Sequence, residues 1–276
     1  MFSQKLENVR KMTPLIHNIT NYVTVNDCAN VLLACGGSPI MSDDIDDVYD
    51  IATICGGLNI NIGTLNRNTI PSMFMAGKRA NELNHPVILD PVGVGASKLR
   101  TQTAYKLLDE VKFSVIRGNI SEIKALAFGS GSTKGVDADV ADEVNSENLE
   151  TTIQFAKEFS KKTGAIIAIT GAMDIVADYK YAYVIKNGHT MMSKVTGTGC
   201  MLTAMIAAYI VAEKSVGNDM LEAVAAATCA MGLCGEIAHS RLTKRDGNAT
   251  YRNYIIDEIY NLDGKTLDEG AKYEMQ

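Results

Sequence analysis

The chain of 276 residues suits one large α/β domain or two modest ones, and its composition, 46% hydrophobic and 21% charged, is that of a globular protein rather than a disordered or fibrous one. Its 26 basic and 32 acidic side chains give a net charge of −6 without a basic stripe, which argues against nucleic acid as a partner. The amino terminus lacks the apolar stretch of a signal peptide, and the longest apolar run, 201–212, is too short to span a bilayer. With no Pro/Ser-rich linker in the chain, we expect a single cytoplasmic domain over residues 1–276, without membrane contact.

Cysteine and histidine spacing excludes two further kinds of site. Most of the six cysteines lie inside apolar segments and none forms a CxxC pair, which indicates buried thiols in a reducing compartment. The four histidines lack HxxxH or HExxH spacing, so a histidine-based metal site is not expected.

Short apolar runs alternate with helix-length stretches through the first part of the chain. The runs are short, apolar and bounded by Gly, Pro or a charge, as buried strands are; they are 39–41, 57–61, 86–90, 113–117 and 165–170. Helices are predicted over 22–35, 66–84, 98–110 and 148–162. This alternation predicts an α/β fold with a mainly parallel central sheet flanked by helices on both faces.

The last third of the chain has a different pattern. Segment 174–194 alternates polar and apolar residues and predicts an antiparallel hairpin at a sheet edge. Two strongly helical stretches follow, over 199–214 and 219–240. The tail from about Leu262 is acidic and is expected to be helix-poor.

Polar residues stand at the carboxyl ends of the predicted parallel strands, where ligands bind in open α/β sheets. These strand ends carry Ser42, Asn61, Thr64, Asp90, Arg117, Asn119 and Thr170. A strand that only packs does not need a polar end, so five such ends predict one shared site.

The turn Val195–Cys200, sequence VTGTGC, leads directly into an apolar helix. Gly197 and Gly199 before an uncapped helix start leave backbone amides free to converge on an anion, which in a kinase is the transferred phosphoryl group. The alternative is a tight turn whose glycines serve backbone geometry alone. The turn is not a Walker loop, because no Gly-Lys-Ser/Thr follows, and Leu202 stands where a dinucleotide fingerprint needs its third glycine.

The remaining strand-end residues suit a metal–polyphosphate site, although each has a simpler interpretation. Glu122 fits a Mg²⁺ ion or its water, with Asn119 on a phosphate oxygen, but the pair equally forms a helix capping box. Asp90 either lies in the second coordination sphere of the metal, where it orients a water, or forms part of an Asp-Pro turn. Arg117 suits polyphosphate recognition, and Thr170 is either a phosphate donor or a turn residue.

A polar cluster near the amino terminus, residues 17–24 (HNITNYVT), precedes the first predicted helix. It is suited to lining a pocket for a small polar heterocycle. In the simpler interpretation, Thr20 or Asn21 caps helix 22–35.

Taken together, these segments resemble the hydroxyethylthiazole kinase family over residues of about 14 to 240, in the family's order. The matching motifs are HNITNYVT, GGSPIMS, NIGT, DPVGVGAS, RGNISE, TG and VTGTGC. The resemblance implies a ribokinase-like fold and ATP- and Mg²⁺-dependent phosphorylation of 4-methyl-5-(2-hydroxyethyl)thiazole in thiamine biosynthesis or salvage. It also implies a homotrimer with active sites between subunits.

The resemblance also implies roles for matching residues. The thiazole would contact Met41, with Asn21 and Val23 nearby, and Gly63 and Thr64 would approach from a neighbouring subunit. ATP phosphates would be bound by Arg117 and Thr170, together with Asn119. The Mg²⁺ ion and its waters would be held by Asp90 and Glu122, and Gly197 would contact the substrate and the anion hole.

Cys200 is the position that narrows the resemblance. The wider ribokinase-like superfamily usually has GxGD here, with Asp as the base for the acceptor hydroxyl, whereas the thiazole kinases carry Cys. A thiol at a helix amino terminus is expected to have a lowered pKa, so Cys200 is predicted to be partly thiolate and a weak base. Three alternatives stay open: a kinase of the same fold for another alcohol, an ADP-linked repair dehydratase, and a nucleotide sensor without catalysis.

Overall fold

The computed structural model describes residues 1–128, 144–217 and 219–276. Within them the strands form one sheet: β1 Leu15–Ile19, β2 Ser38–Met41, β3 Gly57–Asn61, β4 Val87–Asp90, β5 Val115–Asn119, β6 Ile166–Thr170, β7 Asp174–Ala177, β8 Ala182–Ile185 and β9 Tyr273–Met275. Their order is β2-β1-β3-β4-β5-β6-β7-β8-β9. The first six strands are parallel and the last three antiparallel.

Helices cover both faces of this sheet. Their bounds are α1 Phe2–Met12, α2 Val25–Cys35, α3 Val48–Ile54, α4 Thr69–Glu82, α5 Lys98–Glu110, α6 Ile120–Phe128, α7 Leu149–Thr163, α8 Thr198–Ser215, α9 Met220–Ser240, α10 Asn248–Asn261 and α11 Gly264–Gly270. One core cluster contains side chains of α1, α2 and α8–α11, and a second contains side chains of α3–α7. The predicted α/β class and the helices on both faces are therefore confirmed.

Alternation along the strands decides which face carries the polar strand ends. Ile88 belongs to the core cluster that contains α8, whereas Leu89 belongs to the other cluster. Because successive side chains point to opposite faces, Asp90 lies on the α8 side. The same alternation holds in β5, where Val115 packs with α8 and Ile116 does not, so Arg117 also faces α8.

Helices α8 and α9 form the centre of the layer on that face. Every residue of α8 from Met201 to Glu213 is buried. Helix α9 is long and apolar enough to cross a membrane by length and composition, but 78% of its most apolar window is buried inside the fold. Its apolar surface therefore serves packing against α8 and α10.

All five predicted strands and all six predicted helices are present, with ends shifted by up to three residues. The alternating segment contains the hairpin β7–β8, but it is followed by a 3-10 turn at Thr190–Lys194 instead of more strand. The hairpin is also not the edge of the sheet, because β9 pairs with β8. The expectation of a helix-poor tail is wrong, since α11 and β9 lie in it.

Candidate active site

The amino terminus of α8 meets the carboxyl ends of β3, β4, β5 and β6. Asn61 is paired with Asp90 across β3 and β4, and Asn119 with Thr170 across β5 and β6. Thr203, on the first full turn of α8, donates from Oγ1 to Oδ2 of Asp90 at 2.8 Å. The ends of β3, β4, β5 and β6 and the VTGTGC turn therefore lie together, whereas the fifth predicted strand end, Ser42, is hydrogen-bonded to His17 and Asp47. That these residues form one functional site stays a prediction.

Gly197 and Gly199 are each required in the turn for a different physical reason. Gly197 is the N-cap of α8 with φ of 92°, a left-handed conformation that favours glycine. A Cβ there would also overlap the methyl group of Thr24. Gly199 lacks this strain, but a Cβ on it would stand 2.7 Å from Cζ of Arg117.

Helix α8 begins without a side-chain cap. Gly197 offers no side chain, and no side-chain cap hydrogen bond forms at this helix start among the described residues. The first-turn amides of a helix have no partner within the helix, and the helix dipole places partial positive charge beside them. The amides of Thr198, Gly199 and Cys200 therefore form a site suited to an anion, as the sequence predicts.

Cys200 lies on this first turn, half-buried among polar side chains. Its Sγ accepts hydrogen bonds from Nδ2 of Asn21 and Nδ2 of Asn61, both at 3.3 Å. Burial raises the pKa of the thiol above its ordinary value, and the Asp90 carboxylate raises it further, against smaller opposing effects of Thr24, Asn21 and Arg117. The prediction of a lowered pKa is wrong, because burial and a nearby carboxylate outweigh the helix amino terminus.

Asp90 is fully buried at the end of β4. Its Oδ2 accepts from Nδ2 of Asn61 at 2.9 Å and from Thr203, and lies 3.7 Å from Nη1 of Arg117. Its Oδ1 has no hydrogen-bond partner among the described residues. Burial raises the pKa of Asp90 to about 6, with Arg117 lowering it and Glu122 raising it. A buried carboxylate with an unpartnered oxygen fits a bound cation.

Arg117 and Thr170 lie side by side on neighbouring strands. Nη2 of Arg117 donates to Oγ1 of Thr170, and the arginine side chain is 12% exposed. Its Nε is buried without a hydrogen-bond partner among the described residues. Arg117 therefore presents a positive charge between Asp90 and the first turn of α8, which suits phosphate recognition.

Asn119 and Glu122 form the capping box that the sequence left open as an alternative. The backbone amide of Asn119 donates to Oε2 of Glu122 at 2.9 Å, and the amide of Glu122 donates to Oδ1 of Asn119 at 2.8 Å. Oε1 of Glu122 also accepts from the backbone amide of Gly93 at 2.8 Å. Glu122 thus links the DPVGVG loop after β4 to the start of α6, and its charge acts on Asp90.

The predicted acceptor-side residues lie in the loops after β1 and β3 and at the end of β2. Asn21 is 4% exposed, and its Oδ1 accepts from the amide and the hydroxyl of Thr24 at 3.1 and 3.0 Å. The simpler interpretation, in which Thr20 or Asn21 caps the first predicted helix, is wrong, since α2 begins after Thr24 and has no side-chain cap bond. Met41 packs against the same core cluster as Cys200, whereas Val23 is 57% exposed.

Gly63 and Thr64 contact the N-terminal motif of their own chain. A Cβ on Gly63 would lie 3.1 Å from Cβ of Asn21, and the amide of Tyr22 donates to Oγ1 of Thr64 at 3.2 Å. This places both residues beside Asn21 within one chain. Their contribution to a second subunit's site stays a prediction.

Three residues that hold the site together had no specific role predicted from the sequence, although Asn61 was predicted as one of the polar strand ends of the shared site. They are Asn61, Thr203 and Arg100; Nη2 of Arg100 donates to the carbonyl of Gly63 at 2.6 Å. Asn61 stands in the quoted NIGT motif, and its polar side chain in a buried strand was the available signal. Thr203 gave none, because a lone threonine in an apolar helix often bonds only its own backbone.

These features define a class of protein. The sheet is mainly parallel, and a helix start suited to an anion lies over its strand ends. These strand ends bear a carboxylate, a guanidinium and a hydroxyl, the groups that a phosphoryl-transfer enzyme uses to bind and position phosphates. A ribokinase-like superfamily protein from Enterococcus faecalis V583 shares this fold with a TM-score of 0.60 at 12% identity, covering 94% of this chain and 89% of that one.

Closer comparisons narrow the class. Residues 6–265 match the model of the hydroxyethylthiazole kinase family. The chain is 69% identical to a hydroxyethylthiazole kinase of Clostridium acetobutylicum over 274 residues, 99% of each chain. A hydroxyethylthiazole kinase structure from Pyrococcus horikoshii OT3 superposes with a TM-score of 0.87 at 30% identity, covering 100% of this chain and 98% of that one. The chain belongs to the hydroxyethylthiazole kinase family.

Proposed function

We propose that this protein transfers the γ-phosphoryl group of ATP to the primary hydroxyl of 4-methyl-5-(2-hydroxyethyl)thiazole, as a step in thiamine biosynthesis or salvage. The bond from the hydroxyl oxygen to phosphorus forms, the bond from phosphorus to the β,γ-bridging oxygen breaks, and ADP and a proton leave. The observation that carries the proposal is the uncapped start of α8, which places Cys200 where the charges of Asp90 and Arg117 act on it. Family membership supplies the identity of the alcohol.

The acceptor alcohol is bound on the Cys200 side of the site. The half-buried thiol and the Asn21 amide offer polar contacts at one end, and the Met41 side chain offers an apolar surface for the thiazole ring. The adjacent backbone of Gly63 and Thr64, together with Val23, completes this region. A half-exposed apolar surface beside polar groups suits a small heterocycle with one hydroxyl arm.

The phosphates are bound on the Arg117 side. The guanidinium and the Thr170 hydroxyl bind phosphate oxygens, with the exposed Asn119 side chain beside them. The amides of Gly197 to Cys200 stabilise charge on the transferred group. Since phosphoryl transfer depends mainly on positioning and electrostatic stabilisation, this arrangement supplies most of the acceleration.

A Mg²⁺ ion fits the carboxylate side of the site. Asp90 offers a buried oxygen without a hydrogen-bond partner, and Glu122 reaches the same region through its charge. The described residues contain no cluster of three His, Cys, Asp or Glu side chains, which agrees with a cation that keeps several waters and binds substrate phosphates. When bound, the ion neutralises phosphate charge, with Asp90 as its main protein ligand and Glu122 holding its waters.

The hydroxyl proton needs only a weak acceptor. Burial keeps Cys200 in its thiol form at rest, so the sulfur does not carry a standing negative charge beside Asp90. In a loose transition state little negative charge leaves the nucleophile before the bond to phosphorus forms, so the proton can depart late. Cys200 therefore orients the hydroxyl and acts at most as a weak base.

The active protein is a cytoplasmic homotrimer in this proposal, with Gly63 and Thr64 near a subunit contact. Two exposed apolar side chains directly follow Asn21 and suit burial by a second copy: Tyr22, which is 77% exposed, and Val23, which is 57% exposed. Light scattering on a size-exclusion column tests this: a mass three times that of the chain supports the trimer, and a monomeric active enzyme contradicts it.

The function is tested by ADP release coupled to a pyruvate kinase–lactate dehydrogenase assay, with and without the thiazole. The proposal expects thiazole-dependent ADP release that requires Mg²⁺ and gives one phosphomonoester product per ADP. ADP release independent of the thiazole, or none at all with folded protein, contradicts it.

A further inference from the structure

Asn61, at the end of β3, makes four hydrogen bonds that connect the loops after β1 and β3 with Asp90 and Cys200. Its Oδ1 accepts from Nδ2 of Asn21 at 3.1 Å and from the backbone amide of Gly63 at 2.9 Å. Its Nδ2 donates to Oδ2 of Asp90 at 2.9 Å and to Sγ of Cys200 at 3.3 Å. The side chain is therefore shared between the acceptor loops and the phosphate side.

The orientation of this amide is fixed by its neighbours. The backbone amide of Gly63 can only donate, so the atom facing it must be the oxygen of Asn61. The nitrogen then necessarily faces the Asp90 carboxylate, which can accept it. One N–H thus points to Asp90 and the other to Cys200.

Asn61 acts without touching the substrate, because it is 1% exposed beneath Asn21 and Cys200. Its two N–H groups lie between the Asp90 carboxylate and the Cys200 sulfur. Without them, two hydrogen-bond acceptors would face each other with no donor between them. Loss of these donors would leave the Asp90 carboxylate with Thr203 and a distant Arg117, and Cys200 with Asn21 alone.

We infer that Asn61 is a positioning residue for phosphoryl transfer: it fixes the sulfur of Cys200 relative to the Asp90 carboxylate and to the loop that carries Gly63. The inference rests on the proposed function. It assigns Asn61 an effect on the chemical step and not on binding, because neither the alcohol nor ATP reaches its buried amide.

Asn59 provides a matched control. It lies two residues earlier in the same strand and on the same face, is 0% exposed, and donates from Nδ2 to Oδ1 of Asn18 at 3.0 Å. Substitution of Asn59 measures the cost of a lost buried amide in β3. Neither its donor bond nor its position touches Cys200 or Asp90.

The experiment compares Asn61→Asp and Asn61→Ala with Asn59→Asp and Asn59→Ala in the full chain, with kcat, both KM values and the midpoint of thermal unfolding as readouts. Asn61→Asp keeps the oxygen that accepts from Gly63 but replaces the donor nitrogen by a carboxylate oxygen facing Asp90, whereas Asn61→Ala removes the donors without adding a charge. We expect kcat to fall at least about 10-fold in both Asn61 variants, the cost of losing a hydrogen bond to a charged group, with both KM values within about threefold.

A double substitution separates positioning from stability. If Asn61 acts through the sulfur, Asn61→Ala in a Cys200→Ala background lowers kcat by no more than about threefold, since coupled residues are not additive. Equal kcat losses in the Asn61 and Asn59 variants, or a full additional loss in that background, would overturn the inference. Failure of the wild-type protein to phosphorylate the thiazole would instead overturn the proposed function. If Asn61→Asp does not fold, Asn61→Ala decides alone.

Discussion

The guanidinium of Arg117 lies against the Cα of Gly199, so the phosphate-side arginine rests directly on the first turn of α8. A Cβ on residue 199 would stand 2.7 Å from Cζ of Arg117 and would overlap both of its Nη atoms. Gly199 is thus required by side-chain packing, whereas Gly197 is required by its backbone conformation as well. The contact ties the position of Arg117 to the anion-binding amides.

Gly199→Ala should therefore displace Arg117 and impair ATP use. We expect kcat/KM for ATP to fall by about 10- to 100-fold, because shifts of about 1 Å in a positioned group cost that much. Gly247→Ala is the control: no atom lies within 4 Å of its added Cβ, and its φ is not positive. Steady-state kinetics in which both variants behave like the wild type would refute the packing argument.

Arg117→Ala should damage ATP use far more than thiazole binding. Loss of a charge-assisted donor to the transferred group is expected to lower kcat/KM for ATP by about 100-fold or more. The thiazole dissociation constant, measured by calorimetry without ATP, should change by no more than about threefold, within the scatter of a distant substitution. Equal losses for both ligands would contradict the assignment of Arg117 to the phosphates.

Cys200→Asp should preserve or raise turnover. A carboxylate accepts the hydroxyl proton better than a buried thiol, although Asp90 and burial will hold its pKa above the ordinary value, as they do for Cys200. Cys200→Ala should lower kcat by about 10-fold or more, the range of weak general-base assistance. Complete inactivity of the Asp variant, with ATP binding intact, would show that the thiol has another role.

The pH dependence of ATP use should follow Asp90. Burial raises its pKa to about 6 from 3.8, and only the ionised form suits a Mg²⁺ ligand, so kcat/KM for MgATP should fall as the pH decreases through about 6. Thr203→Val removes a hydrogen bond that lowers this pKa. The acid limb should then move upward by about one pH unit.

Thr228→Val is the control for that shift. Thr228 is 1% exposed in α9 and donates from Oγ1 to the carbonyl of Val224 at 2.8 Å, the same kind of helix bond that Thr203 makes to Gly199. For Thr228→Val, the acid limb of kcat/KM for MgATP should stay at the wild-type pH in a profile from pH 5 to 8. If the acid limb of the Thr203→Val profile stays at the wild-type pH, Asp90 is not the group that produces it.

Five of the six parallel strands could be predicted because each is a short, mainly apolar run bounded by Gly, Pro or a charge. Strand β1 was missed, since His17 and Asn18 look polar in sequence; in the fold, Nε2 of His17 pairs with the Ser42 carbonyl at 2.8 Å and Asn18 accepts from Asn59. Strand β9 was missed because its three exposed residues form structure only by pairing with β8, a contact distant in sequence.

The site was predictable at the carboxyl ends of the parallel strands, where Asp90 ends β4 and Arg117 lies two residues before the end of β5. It was not predictable where tertiary contacts set the chemistry. Burial and, after it, a carboxylate 110 positions earlier in the chain raise the pKa of Cys200, so the local helix start gave the wrong direction. The network through Asn61 likewise joins the loops after β1, β3 and β4 with α8, and no local pattern records it.

The central claim is that the acceptor is the thiazole alcohol. The most direct test is kcat/KM for 4-methyl-5-(2-hydroxyethyl)thiazole, pyridoxal, a hydroxymethylpyrimidine and ribose under identical MgATP, with each product identified by mass spectrometry. We expect a thiazole phosphate as the product. We also expect kcat/KM for the thiazole to be at least about 100-fold above that for each of the other three alcohols, the discrimination that a shaped pocket achieves. A higher kcat/KM for any of the other three alcohols would contradict it.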